Sequence, residues 1–152
     1  MPEVLSQQVN ADAAAPAAVR QLLRCWLAEA GWPRNDSDDL VLAVSEAVSN
    51  SVEHGYRDRC TAGEVEVTVE EELLSVRQRR VIITVSDHGR WRPVPTEPAN
   101  RRRGIPLMRA VTDSLDIDGT PTGTRLTLTS RPVSAERDEP SGNAELDPDV
   151  PL

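Results

Sequence analysis

The chain has 152 residues, of which 38% are hydrophobic, which is enough to bury one core of ordinary size. The net charge of −8 argues against a general nucleic-acid binder, and because all 17 basic residues are arginine, the phosphate-binding lysine of a P-loop is excluded. The sequence has neither an apolar run near the ~20 residues that span a bilayer nor the basic-then-apolar start of a signal peptide, so we expect a cytoplasmic protein without membrane contact.

The first half of the chain predicts a weak edge strand, two helices and two antiparallel strands. Apolar residues recur at helical spacing in both predicted helices, and the second has Asp36 or Ser37 upstream as a candidate N-cap. Strict alternation marks the first long strand, and a continuous β-branched run marks its more buried neighbour. The predicted ranges are 3–9 for the edge strand, 16–30 and 38–55 for the helices, and 64–70 and 81–85 for the strands.

The second half begins with a long segment, 86–104, that has three prolines and no periodicity, which in a compact domain indicates either a functional loop or a disordered one. A short helix over 104–112 follows, with Pro106 tolerated in its first turn. Two closing strands, 113–119 and 123–130, flank a Gly-Thr-Pro-Thr-Gly turn. We therefore expect one domain over residues 1–132, and an acidic, proline-rich tail or linker over 133–152 that is too polar to pack.

Charge and cysteines are unevenly placed along the chain. Residues 90–109 contain six arginines and one acid, whereas the acids dominate from residue 133 onward. Cys25 lies in the first helical pattern and Cys60 in a polar segment, without a second cysteine or a histidine at metal-ligand spacing. Both are predicted to be free thiols.

The second helix carries a polar sector beside its apolar face. Glu46, Asn50, Glu53 and His54 fall within about 100° of one another around the helix axis, so a carboxylate and an amide lie one turn apart. A solvated helix face would have the same appearance. The motifs further along the chain favour a functional site instead.

Four motifs occur in an order and spacing that resemble the histidine-kinase-like ATPase superfamily, the Bergerat ATP-binding fold, and within it the anti-sigma factor serine/threonine kinases. They are Glu46-x3-Asn50-x3-His54, Asp87-x-Gly89-x-Trp91, Arg103-Gly104-Ile105-Pro106-Leu107-Met108 and Gly123-Thr124. The resemblance covers residues 5–131. It implies an α/β (α+β) two-layer sandwich, with a mixed, largely antiparallel sheet covered on one face by three helices.

The resemblance also implies how adenine is bound. Asp87 corresponds to the carboxylate that accepts a hydrogen bond from the adenine amino group, and Gly89 to the residue that lets the main chain approach the purine. Thr124 corresponds to the hydroxyl that completes this contact. An aspartate in a turn and an ordinary strand threonine are the structural alternatives.

For the phosphates and the metal, the resemblance implies that Gly104 opens a helix whose N-terminus binds phosphate, with Arg103 the favoured choice among Arg101, Arg102 and Arg103 for the γ-phosphate. Asn50 corresponds to the Mg²⁺ ligand and Glu46 to the general base. His54 either supports the phosphate end or is a structural histidine.

Taken together, the resemblance implies an ATP- and Mg²⁺-dependent serine/threonine protein kinase and anti-sigma factor that regulates transcription, as in bacterial stress responses. Its implied partners are a sigma factor, an anti-anti-sigma antagonist that it phosphorylates, and a second copy of itself in a homodimer. A nucleotide-binding anti-sigma module without kinase activity is the alternative. Direct nucleic-acid binding through the arginines of 90–109 is a more distant one, and we expect none.

Overall fold

The computed structural model describes residues 3–55, 63–88, 104–120 and 123–136. They form three α-helices, one π-helical turn and six strands. In chain order these are β1 (Leu5–Asn10), α1 (Ala15–Glu29), α2 (Arg34–Asn50), the π-turn (Ser51–Gly55), β2 (Glu64–Leu73), β3 (Gln78–Asp87), α3 (Gly104–Val111), β4 (Ser114–Thr120), β5 (Gly123–Thr129) and β6 (Val133–Ser134). None of these helices has the length and apolarity needed to cross a membrane.

The strands form one sheet in the order β1-β2-β3-β5-β4, and the short β6 pairs with β3. Each strand pair among the described residues is antiparallel. The predicted α+β class is therefore confirmed, with an antiparallel rather than a mixed sheet. The edge strand β1 is also confirmed, at Leu5–Asn10.

The core lies between the sheet and the helices because each strand alternates. Along β3, the side chains of Val81, Ile83 and Val85 are buried, while those between them are partly exposed. The buried strand residues join the apolar faces of α1 and α2 in a single cluster that also includes Met108 of α3. This alternation decides which residues of β3 can face the helices, and Asp87 belongs to that set.

The end of α1 is a Schellman motif. Gly31 has φ of 62°, its N–H donates to the Ala28 carbonyl, and the Trp32 N–H donates to the Leu27 carbonyl. Glycine adopts this left-handed conformation without steric cost. The motif turns the chain sharply into α2.

A buried arginine holds this turn against the sheet. The Arg79 side chain is 1% exposed, and its guanidinium donates to the carbonyl oxygens of Ala30, Gly31 and Ser134. It also pairs with the Glu71 carboxylate at 3.1 Å and lies 4.8 Å above the centre of the Trp32 ring. One side chain thus connects the end of α1, the β2–β3 hairpin and the C-terminal strand β6.

Several predicted boundaries differ from the structure. Helix α2 begins at Arg34 rather than 38, because Pro33, with φ of −56°, takes the N-cap position; Asp36 and Ser37 then lie inside the helix, and no side-chain cap hydrogen bond forms. Strands β2 and β3 are longer than predicted, since their alternation continues through the buried charges of Glu71 and Arg79.

A further difference is at the predicted boundary between domain and tail. Val133 and Ser134 pair with β3, and Val133 belongs to the core cluster, so the packed part of the chain extends past residue 132. Of the tail predicted over 133–152, residues 137–152 lie outside the described part of the structure.

Neighbouring arginines on β3 provide a test of the buried pair. Arg79→Met should lower the free energy of unfolding by about 3–5 kcal/mol, because it removes the guanidinium that neutralises buried acceptors. Arg80→Met should change it by less than about 1 kcal/mol, since the Arg80–Glu72 pair is 31% and 42% exposed. Urea denaturation of both variants measures the difference, and equal effects would contradict this account of Arg79.

The C-terminal strand can be tested by truncation. A chain that ends at Glu136 should unfold with the wild-type free energy, because the sequence beyond it has few large apolar side chains. A chain that ends at Pro132 should lose about 1–3 kcal/mol, because the buried Arg79 Nε–H loses the Ser134 carbonyl as its acceptor. Equal stability of the two truncated chains would mean that β6 contributes little.

Candidate functional site

The candidate site begins where β3 ends, at Asp87. This carboxylate is at an inward position of the strand, in phase with Val81, Ile83 and Val85, and the residue is only 3% exposed. A carboxylate is costly to bury without donors, so a buried aspartate at the last position of a strand requires a specific reason. Its cross-strand partners are Val65 of β2 and Thr124 of β5.

Thr124 is buried beside Asp87 and faces the same side of the sheet. The residue is 7% exposed and in phase with Leu126 and Leu128, which are core residues. Its hydroxyl oxygen is buried and has no hydrogen-bond partner among the described residues. Buried polar side-chain atoms are partnered in the large majority of cases, so an exception suggests an absent ligand or a catalytic role.

A second pair of polar residues lies on α2. Glu46 and Asn50 are one helical turn apart and both half-buried. They lie beside the face of α2 that is buried in the core. The predicted spacing of the carboxylate and the amide is therefore confirmed. Because α2 packs against both α1 and α3, this face of the helix has a fixed orientation.

A π-helical turn follows directly on Asn50. The Ser51 N–H is shared between the carbonyls of Ala47 and Val48, and the turn continues to Gly55. The turn contacts both β3 and β5, and Val52 packs against the core. It therefore connects the end of α2, with Asn50, to the two strands that carry Asp87 and Thr124. Single π-turns within helices occur often at functional sites.

Helix α3 begins at Gly104, as predicted, and packs on α2 through the fully buried Met108. At its other end, the Thr112 hydroxyl donates to the Met108 carbonyl over 2.6 Å. Thr112 thus satisfies one of the carbonyls that a helix leaves unpaired at its C-terminus.

The structure brings some of the predicted site residues together. Asp87 and Thr124 are neighbours across two strands, and Glu46 and Asn50 share one face of α2. Gly89 and the three arginines at 101–103, including Arg103, lie outside the described residues, as does the His54 side chain, although its backbone is in the π-turn. The π-turn was not predicted, because a pattern of apolar residues does not reveal a change in helical hydrogen bonding.

Residues 9–130 match the family described as the histidine kinase-like ATPase domain. The chain belongs to this family. The predicted resemblance is thereby confirmed, and the antiparallel sheet with three helices agrees with the fold that it implied.

Several proteins of named function are similar to this ATPase domain. It is 32% identical to the anti-sigma F factor of Bacillus velezensis over 97 residues. This alignment covers 60% of this chain and 66% of that protein. Over 87 residues it is 29% identical to the serine-protein kinase RsbW of Staphylococcus aureus MRSA252, covering 57% of this chain and 52% of that protein. The crystal structure of the RsbU and RsbW domains of Rv1364c from Mycobacterium tuberculosis has a TM-score of 0.69 and 31% identity, covering 89% of this chain and 34% of that one.

The chain thus spans less than two thirds of the length of each of these relatives. Residues 9–130, which match the family, include Glu46, Asn50, Asp87 and Thr124.

The buried pair of this ATPase domain fits the edge of an adenine ring. Adenine has an amino group that donates a hydrogen bond and, next to it, a ring nitrogen that accepts one. Asp87 provides a carboxylate acceptor, and the Thr124 hydroxyl can donate, with no described partner to compete for it. Both groups are buried, so a hydrogen bond made there is stronger than one exposed to water.

Replacement of Thr124 by valine separates stability from binding. Since the hydroxyl has no partner within the described structure, Thr124→Val should keep or raise the free energy of unfolding of the free protein, by up to about 1–3 kcal/mol. The same change should weaken ATP binding. Denaturant titration and calorimetry check the two effects.

The buried hydroxyl of Ser130 provides the matched control. It accepts a hydrogen bond from the Val81 N–H over 2.8 Å, so Ser130→Ala should destabilise the protein and leave its nucleotide affinity unchanged. Destabilisation by Thr124→Val comparable to that by Ser130→Ala would mean that the Thr124 hydroxyl has a structural partner.

Proposed function

We propose that this chain is a serine/threonine protein kinase and anti-sigma factor. In this proposal it binds ATP with Mg²⁺ and transfers the γ-phosphoryl group to a hydroxyl of a protein antagonist. It sequesters a sigma factor when that antagonist is unavailable. The observation that carries the proposal is the buried Asp87–Thr124 pair in a histidine kinase-like ATPase domain, in which the Thr124 hydroxyl has no partner among the described residues.

The adenine half of the proposed site belongs to the sheet. Asp87 would accept from the adenine amino group and Thr124 would complete the contact from the neighbouring strand. Because both residues are at strand ends and are oriented by strand alternation, the sheet fixes their directions before nucleotide binds. Gly89 is proposed to allow the main chain to approach the purine.

The phosphate half belongs to the helices. Asn50 would contribute one oxygen to a Mg²⁺ ion whose other ligands are phosphate oxygens and water, since Mg²⁺ requires six oxygen ligands. Bound there, the metal would neutralise charge that develops on the phosphates. The first N–H groups of α3, beginning at Gly104, and the arginine at 103 would bind phosphate oxygens, and His54 would support this end.

Glu46 is proposed as the general base. It lies one turn before Asn50 on the same face of α2, so a group held near the Asn50 metal would be within reach of its carboxylate. The carboxylate would take the proton from the attacking hydroxyl. Proton transfer of this kind contributes typically about 10² to 10⁴ in rate.

The partners are proposed from the names of similar proteins together with this site. One relative is named an anti-sigma F factor and another a serine-protein kinase. A site with both a base and a metal ligand supports a transferase rather than a module that only binds nucleotide, because binding alone does not need Glu46. A homodimer is part of the same proposal.

The experiment compares Glu46→Gln with Asp87→Ala. Glu46→Gln should bind ATP as wild type does but transfer phosphate to candidate antagonists from the same genome about 10² to 10⁴ times more slowly, because only the base is lost. Asp87→Ala should lose both ATP binding and transfer. Binding is measured as the rise in stability with MgATP, about 2.7 kcal/mol at 100 times the Kd.

Glu29→Gln, an exposed carboxylate in the last turn of α1, is the control and should leave binding and transfer unchanged. Transfer at the wild-type rate by Glu46→Gln would refute the assignment of the base. ATP binding without transfer by the wild-type protein, to every antagonist tested, would favour the binding module. ATP affinity that is insensitive to both Asp87→Ala and removal of Mg²⁺ would refute the site.

A further inference from the structure

Gly123 lies at the start of β5, next to Thr124, where two backbones come unusually close. A Cβ atom placed on Gly123 would be 2.3 Å from the Asp87 carbonyl oxygen and 3.1 Å from the His88 Cα. Cβ atoms in proteins are essentially never found closer than 3.0 Å to a heavy atom of a residue other than their own and its two chain neighbours. Because the nearest atom belongs to the main chain, no side-chain rotation can relieve the contact.

Gly119 offers a natural comparison. It is also a glycine opposite Thr124, on the other neighbouring strand β4, but a Cβ placed there would meet nothing within 4 Å. A side chain would therefore fit at position 119, whereas at position 123 it would clash with the main chain of β3. The close approach is specific to the side of β5 that pairs with β3 and Asp87.

We infer that Gly123 is a positioning residue that sets the spacing of Asp87 and Thr124 and so determines the preference of the site for adenine. This inference rests on the proposed function, since it names what makes the proposed nucleotide site specific. Gly123 acts through Asp87 and Thr124 and does not itself contact the base.

The physical reason is that the main chain controls both groups. The Asp87 side chain leaves from the residue whose carbonyl a Gly123 methyl group would displace, so a shift there changes the direction of the carboxylate. The Thr124 hydroxyl has no described partner that would hold its rotamer, and its position follows the backbone of β5. Further along both strands, Val85 and Leu126 are buried and paired, so the displacement would remain local.

The consequence is a difference between nucleobases. Inosine triphosphate carries a carbonyl oxygen where ATP carries the amino group, so an aspartate acceptor held opposite that position favours ATP. A displaced pair would lose this discrimination. The phosphate groups, which the proposal assigns to α2 and α3, would be bound as before.

The experiment titrates Gly123→Ala, Gly119→Ala and the wild-type protein with the Mg²⁺ complexes of ATP, inosine triphosphate and tripolyphosphate. We expect Gly123→Ala to bind ATP about tenfold to a hundredfold more weakly, as for the loss of one hydrogen bond to a charged group, and to lose most of its preference over inosine triphosphate. Its affinity for tripolyphosphate should not change. Gly119→Ala should behave as the wild-type protein.

A double variant adds a further readout. If Gly123 acts through the Asp87–Thr124 pair, its substitution should weaken ATP binding by a smaller factor in the presence of Thr124→Val than in the wild-type protein. Independent, multiplicative effects of the two changes would overturn the inference, as would ATP preference retained by Gly123→Ala. Failure of Gly123→Ala to fold while Gly119→Ala folds would also overturn it, since the glycine would then serve the sheet rather than the pocket.

A different result would refute the proposed function. A wild-type protein that binds ATP no more tightly than tripolyphosphate would have no adenine site, and the proposed function and this inference would fall together. A wild-type protein that prefers ATP, together with a Gly123→Ala variant that keeps the preference, would leave the proposed function intact and refute only the role of Gly123.

Discussion

The buried guanidinium of Arg79 is the interaction on which the described arrangement depends. A charge at an inward position of β3 must recover several kcal/mol of lost hydration, and it does so through three carbonyl acceptors, the Glu71 carboxylate and the face of Trp32. These partners come from separate parts of the chain. The guanidinium therefore fixes the α1–α2 turn and β6 against the sheet, and α2 with them.

The two ends of β3 contrast in how their buried polar groups are used. Near Arg79, the orientation that places the Trp32 ring under the guanidinium leaves its Nε1 without a partner among the described residues, which is a local cost of that contact. At the Asp87 end, the Thr124 hydroxyl has no partner in the described part of the chain; it can rotate and has a buried carboxylate as its cross-strand neighbour. Buried polar groups that the fold does not need are typical of functional sites.

Much of the fold could be predicted from the sequence, because the hydrophobic periodicity of each segment and the order of the segments along the chain determine it. Helical spacing in α1 and α2, and alternation in β2 and β3, identified the core-facing residues. The four motifs predicted Glu46, Asn50, Asp87 and Thr124 as site residues, and the structure pairs Asp87 with Thr124 across two strands. Periodicity failed where a charge occupies an apolar position. Arg79 continues the inward phase of Val81, but a search for apolar residues leaves it outside the predicted strand. Strand β6, which accepts from Arg79, was assigned to the tail because it lies in an acidic, proline-rich sequence with few large apolar side chains.

The two halves of the candidate site lie in different layers, which makes their connection important. Asp87 and Thr124 are fixed by the sheet, whereas Glu46 and Asn50 are fixed by α2. The π-turn continues α2 beyond Asn50 and contacts β3 and β5, with Val52 packed against the core. An α-helical turn there would direct the chain differently, because a π-turn takes one more residue to close each hydrogen bond. The distance between the Asp87–Thr124 pair and Asn50 therefore depends on how the five residues of the π-turn, Ser51–Gly55, pack against the sheet.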